Sequence, residues 1–213
     1  TTLPFMFAGL ILPILTTAWV DRNFLKFNRV LQKSFDAMIM LALPLIVGAQ
    51  FTAKPLMLFI AGNNFAQSGL ILKILILAIG FIFVGCILAH AVIALDKQKN
   101  IISAYIFTAL TSLIGYLIFI PLFSYYGAAW VTVYSELAIA LFSLYMVMKH
   151  GQFRPNLTVF FKALAASLVM ALSLYLLMGK LNLTLIIALA AVIYLACLYL
   201  FKSLTKENFK DLI

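Results

Sequence analysis

Glu136 stands near the middle of "AAWVTVYSELAIALFSLYMVMKH", a run over residues 128–150 that is apolar enough to cross a lipid bilayer. An ionisable group at that depth is costly and by default marks a proton or ion path. Its neighbours at helical spacing are Ala129, Thr132, Val133, Ala140 and Ser143. Lipid would favour Leu, Ile and Phe there. Small residues let helices approach closely and hydroxyls offer donors to a carboxylate, so this stripe points into a bundle or a wet cavity. A carboxyl whose surroundings alternate between dry and wet, or gain and lose a cation, takes up and releases a proton. The competing reading is a carboxyl held neutral or hydrogen-bonded for packing alone.

Three further features carry possible chemistry. Thr108, Thr111 and Gly115, with Ala104, repeat the small-and-polar stripe in the preceding apolar segment. Such a stripe serves either as a helix-contact seam or as the lining of a path. His90 lies six residues before Asp96 in "FVGCILAHAVIALDKQKN". Its imidazole could relay protons, meet a carboxylate or simply bond to a neighbouring helix. Lys73 sits about one turn into an apolar run, where it can snorkel to headgroups or, turned inward, act as a fixed cation for an anionic substrate. No nucleotide-binding glycine loop, nucleophile elbow, paired-cysteine metal motif or carboxylate dyad occurs, so neither catalysis nor a cofactor or metal is expected.

The elements that must position these groups follow from composition. The 213 residues are 66% hydrophobic and 10% charged, with a mean hydropathy of +1.15. Soluble domains are roughly half apolar and a quarter charged, so the chain reads as an all-α, polytopic membrane protein. Cys86 and Cys197 fall in separate apolar runs as small hydrophobes, without support for a disulfide. Bilayer thickness requires about 20 apolar residues per span. Seven candidates result: 1–19, 37–53, 70–94, 101–120, 128–148, 158–179 and 183–201. The second is short and contains Pro44, which marks a kink whose freed carbonyl needs a partner from a neighbour.

Charge sets the expected orientation. The net charge of +9 sits in short gaps between spans rather than on one continuous patch, which argues topology and not nucleic acid. With alternate gaps taken as cytoplasmic, 12 of the 15 lysines and arginines are inside and Lys54, Lys73 and Lys180 outside, which puts the C-terminus in the cytoplasm. In "DRNFLKFNRVLQK", the residues Arg22, Lys26, Arg29 and Lys33 fall on one helical face and Phe24, Phe27 and Leu31 on another. This predicts an amphipathic cytoplasmic helix near 22–33, lying on the inner leaflet or serving as a solvated connector. Because the chain opens without a methionine, directly in an apolar run, it is expected to be a fragment of a longer protein.

The stretch "KPLMLFIAGNNFAQSGLILKILILAIGFIFVG" resembles a recurrent segment of bacterial polysaccharide and O-antigen flippases, members of the multidrug/oligosaccharidyl-lipid/polysaccharide exporter superfamily. The likeness rests on Pro55, Gly62, Phe65, Ser68, Ile74 and Leu75. The basic turn "ALDKQKN", the entry "PLFSYYGAAWVTVYSE" and the final helical pair look like the same family. The resemblance implies two pseudo-symmetric lobes of six helices around a cavity, often with two added C-terminal helices. On that scheme residues 1–150 form a partial C-terminal lobe of five spans and 151–213 an additional helix pair with a cytoplasmic tail, while an N-terminal lobe is missing. It further implies an inner-membrane transporter, not an enzyme, that carries a polyprenyl-pyrophosphate-linked oligosaccharide among membrane lipids, with Lys73 a candidate for the anionic head. A drug or cation antiporter of the same superfamily, a glycan polymerase or acyltransferase using His90 as base, and a noncatalytic scaffold are the alternatives.

Overall fold

The computed structural model describes residues 2–201, so the tail that carries Lys202, Lys206 and Lys210 lies outside the described residues. Among the described residues there are seven α-helices: α1 (Thr2–Val20), α2 (Phe24–Ala61), α3 (Ser68–Ala94), α4 (Gln98–Phe123), α5 (Tyr125–Gly151), α6 (Thr158–Leu177) and α7 (Leu183–Leu200). Each is long and apolar enough to cross a membrane. Helices satisfy every backbone group within the segment, which is what a hydrocarbon solvent demands. The chain is a multi-pass membrane protein.

The helices alternate in direction, and the connections at each end meet one another. At one end Phe27 and Leu95 close on Gly151, and Gln32 bonds the backbone of Asn156. At the other, Tyr125 donates to Gln67 at 3.1 Å. The gaps 21–23, 95–97 and 152–157 therefore share one side and 62–67 and 124 the opposite one, as the charge alternation requires.

The segment around 22–33 departs from the sequence expectation. Asn23 caps α2 by accepting from the Lys26 amide at 3.0 Å, and the helix then runs unbroken through Lys33 into the second span. Phe27, Val30 and Leu31 are fully buried. Phe27, Val30 and Leu31 are thus spent on protein, including the ring of Trp19 against Phe27, while Phe24 and Leu25 at the start of the segment stay exposed. Polar residues such as Gln32 and Asp36 interrupt the hydropathy signal without interrupting the helix.

α2 lies between two packed cores. One joins Ile11 and Leu15 of α1, Phe27, Val30 and Leu31 of α2, Ile87 and Val92 of α3, and Val147 of α5. The other joins Phe35, Ile39 and Met40 of α2 to Met170 and Leu174 of α6 and Tyr194 and Leu198 of α7. Lipid tails are as apolar as leucine, so close packing rather than water exclusion holds such helices together. The outward faces of α1 and α4 remain covered with exposed Leu, Ile and Phe.

Candidate functional site

α5 is two-sided. Trp130, Tyr134, Leu141 and Tyr145 are exposed, whereas Ala129, Val133, Ala140 and Ser143 are buried against neighbouring helices. The small residues make this possible: a Cβ added at Gly85 of α3 would lie 3.2 Å from the Ala140 side chain. α3 and α4 both pack along α5 while scarcely touching each other. α5 thus bridges α3 and α4, and the seam between those two contacts is the Glu136 cleft.

Glu136 belongs to this seam, near the midpoint of the 27-residue α5, and is half-buried. It lies one turn before Ala140, so it is carried beside the α3 contact rather than out among the bulky exposed residues. Tyr105 of α4 lies within electrostatic range of both Cys86 of α3 and Glu136. Three helices thus bring a phenol, a thiol and a carboxyl into one neighbourhood. Among the described residues no hydrogen bond or ion pair occupies the carboxyl, leaving its oxygens open to a proton, a cation or a donor that enters the cleft. Tyr105 and Cys86 escaped sequence reasoning, since a tyrosine and a cysteine in apolar helices carry no positional signal of their own.

The hydroxyl stripes meet across α4 and α5. Thr132 passes its own proton to the Ala128 carbonyl at 3.0 Å, so Tyr116 is the donor in the 3.1 Å contact between their hydroxyls. Tyr134 likewise donates to Thr111 at 3.1 Å, while Thr111 donates to the carbonyl of Phe107. Gly115 packs on Val131, where an added Cβ would sit 3.1 Å from a methyl group. Thr108 and Ser143 are buried, and the Ser143 hydroxyl has no partner among the described residues.

Among the described residues neither His90 nor Lys73 bonds to Glu136. His90 donates from Nδ1 to the Cys86 carbonyl at 2.8 Å, one turn back on its own helix, with the Cys86 thiol 3.8 Å away. Its Nε2 is thereby left as the ring's free nitrogen. Lys73 is half-buried toward the N-terminal end of α3, and its backbone carbonyl accepts from Gln50 of α2 at 3.1 Å. No group of three or more metal-ligating side chains occurs among the described residues.

A second concavity was not foreseen in the sequence. A groove of about 720 Å³ runs along Leu41, Pro44, Leu45 and Gly48 of α2, between Leu72 and Ile76 of α3 and Ala190, Tyr194 and Leu198 of α7. Its walls are almost wholly hydrocarbon, and it shares no residue with the Glu136 cleft.

This arrangement is similar to a solved structure described as the lipid II flippase MurJ in an inward closed conformation, with a TM-score of 0.75 and 20% identity. The two chains share a fold. The match covers 99% of this chain and 45% of the flippase, so the chain spans less than half the length of the protein it resembles. No family model and no curated protein matches the sequence.

Proposed function

We propose that this chain is the C-terminal part of an inner-membrane flippase that moves a polyprenyl-pyrophosphate-linked oligosaccharide from the inner to the outer leaflet by alternating access. The observation that carries the reading is the separation of an apolar groove from the hydroxyl-bearing seam of α4 and α5 within one bundle. An amphiphile crossing a membrane needs both: a hydrocarbon slot for its tail and hydroxyl-bearing seams for its head. The shared fold with a lipid II flippase supports the same reading.

In this scheme residues 1–150 are a partial transport lobe, 151–213 the added helix pair, and an N-terminal lobe of the same protein closes the cavity. The C-terminus is cytoplasmic. Thr108, Thr111, Gly115, Thr132 and Ser143 line the path of the sugar, Lys73 attracts the anionic head, and His90 assists proton movement. Glu136 is the switch. Neutral in one state and charged in the other, it biases the equilibrium between inward and outward forms by its differential stability in them.

The test uses the full-length protein in vesicles with a fluorescent lipid-linked oligosaccharide. Gly48→Leu should block flipping by filling the groove, since a Cβ at Gly48 meets only the Met170 methyl at 3.7 Å. Glu136→Gln should slow flipping and flatten its pH dependence. Undiminished flipping by the Gly48 variant refutes the tail slot, and unchanged rate and pH profile in the Glu136 variant remove its transport role. Uptake of soluble amphiphiles in place of the glycolipid would identify an antiporter.

A further inference from the structure

The basic end of the molecule is assembled from three separate segments. Where Phe27, Leu95 and Gly151 pack together, the α1–α2 turn brings Arg22 and Lys26, the α3–α4 turn brings Lys97 and Lys99, and the end of α5 with its connector brings Lys149 and Arg154. All six are exposed. Asp21 and Asp96 are the acids on the same turns, so the positive charge predominates.

Bare hydrocarbon lies among these charges. Val20 is 71% exposed and Leu25 82% exposed, on either side of Arg22, and Phe24 packs edge-on against Trp19 with ring centroids 5.1 Å apart. The turn follows directly on α1, whose 19 residues match the span of a bilayer core, and this sets its residues at headgroup height in the membrane-spanning arrangement. Aromatic residues at that height, basic side chains and protruding aliphatic ones form the combination that suits a layer with phosphates above and acyl carbons below. A soluble acidic protein would meet the charges but leave Val20 and Leu25 without a partner.

We infer that the α1–α2 turn is a binding surface for anionic phospholipid of the inner leaflet, with Arg22 and Lys26 on the phosphates and Val20 and Leu25 among the uppermost acyl carbons. The inference is independent of what the protein transports.

Trp19 is a built-in reporter, because Trp130 is the one other tryptophan in the chain and Trp130→Phe removes it. The protein is reconstituted in vesicles of equimolar phosphatidylglycerol and phosphatidylcholine, with brominated chains on one lipid at a time. Enrichment of the anionic lipid makes brominated phosphatidylglycerol the stronger quencher of Trp19. Arg22→Gln with Lys26→Gln should bring the ratio of quenching toward unity, a loss on the order of fivefold in local enrichment per basic residue, while exchange of the two as Arg22→Lys and Lys26→Arg should retain it. Equal quenching by both lipids in the parent protein overturns the inference. So does erasure of the preference by inorganic phosphate at matched ionic strength, which would make the surface a site for soluble anions.

Discussion

Tyr194 of α7 donates its hydroxyl to the backbone carbonyl of Met40 in α2, 2.7 Å away. In an unbroken helix that carbonyl would receive the amide of residue 44, but residue 44 is proline and has no N–H to give. Tyr194 therefore replaces, from another helix, the bond that Pro44 deletes. Water cannot do this inside a membrane, where an unmet carbonyl is expensive.

Tyr194→Phe is expected to destabilise the bundle by about 1–3 kcal/mol, the cost of leaving a buried acceptor unmet. In a Pro44→Ala background the restored amide serves Met40, and the same tyrosine change should cost much less. Unfolding of the four proteins in mixed micelles measures the coupling. Equal costs in both backgrounds would show that the proline and the tyrosine are unrelated.

The hydroxyl pair Tyr116 and Thr132 joins α4 to α5 beside the Glu136 cleft. A double-mutant cycle with Tyr116→Phe and Thr132→Val should give a coupling near ~0.6 kcal/mol, the usual worth of a hydrogen bond between membrane helices. Zero coupling would mean that packing alone aligns the two helices.

The α4–α5 connection is a single residue, Ser124, held at φ 52° and ψ −136°. Just beyond it, Gly127 lies so close to the Phe119 backbone that an added Cβ would collide with a carbonyl unable to swing aside. Gly127→Ala should cost about 1–3 kcal/mol as overpacking. Ser124→Gly should stabilise by about 1 kcal/mol through relief of left-handed strain. Thermal denaturation checks both, and a neutral Gly127→Ala would show that the hairpin opens without penalty.

Much of the bundle was legible in the sequence because a membrane span is a composition before it is a structure. All seven spans have counterparts among the helices. The second was drawn too short, at 37–53 against Phe24–Ala61, because Gln32, Lys33 and Asp36 lower the hydropathy of a segment whose other face is buried in protein. Pro44 announced a carbonyl in need of a partner, but nothing in the sequence could name Tyr194, 150 residues further on. Glu136 was conspicuous for its charge alone. Its neighbours Tyr105 and Cys86 became visible only once three helices were brought into one neighbourhood. The groove was equally hidden, since hydrocarbon that lines a concavity reads the same as hydrocarbon that faces lipid.

At 38 residues α2 is about 57 Å long at the standard rise per residue. It is a rod that outreaches the hydrocarbon layer, gripped by one set of helices on one flank and a second set on the other. A tilt imposed at the charged end near Phe27 must arrive at the opposite membrane face near Ala61, with Pro44 and Pro55 the rungs at which the rod can flex. The two surfaces of the bilayer are in this way mechanically linked by one continuous backbone, and Tyr194 is clipped to it at one of its softest points.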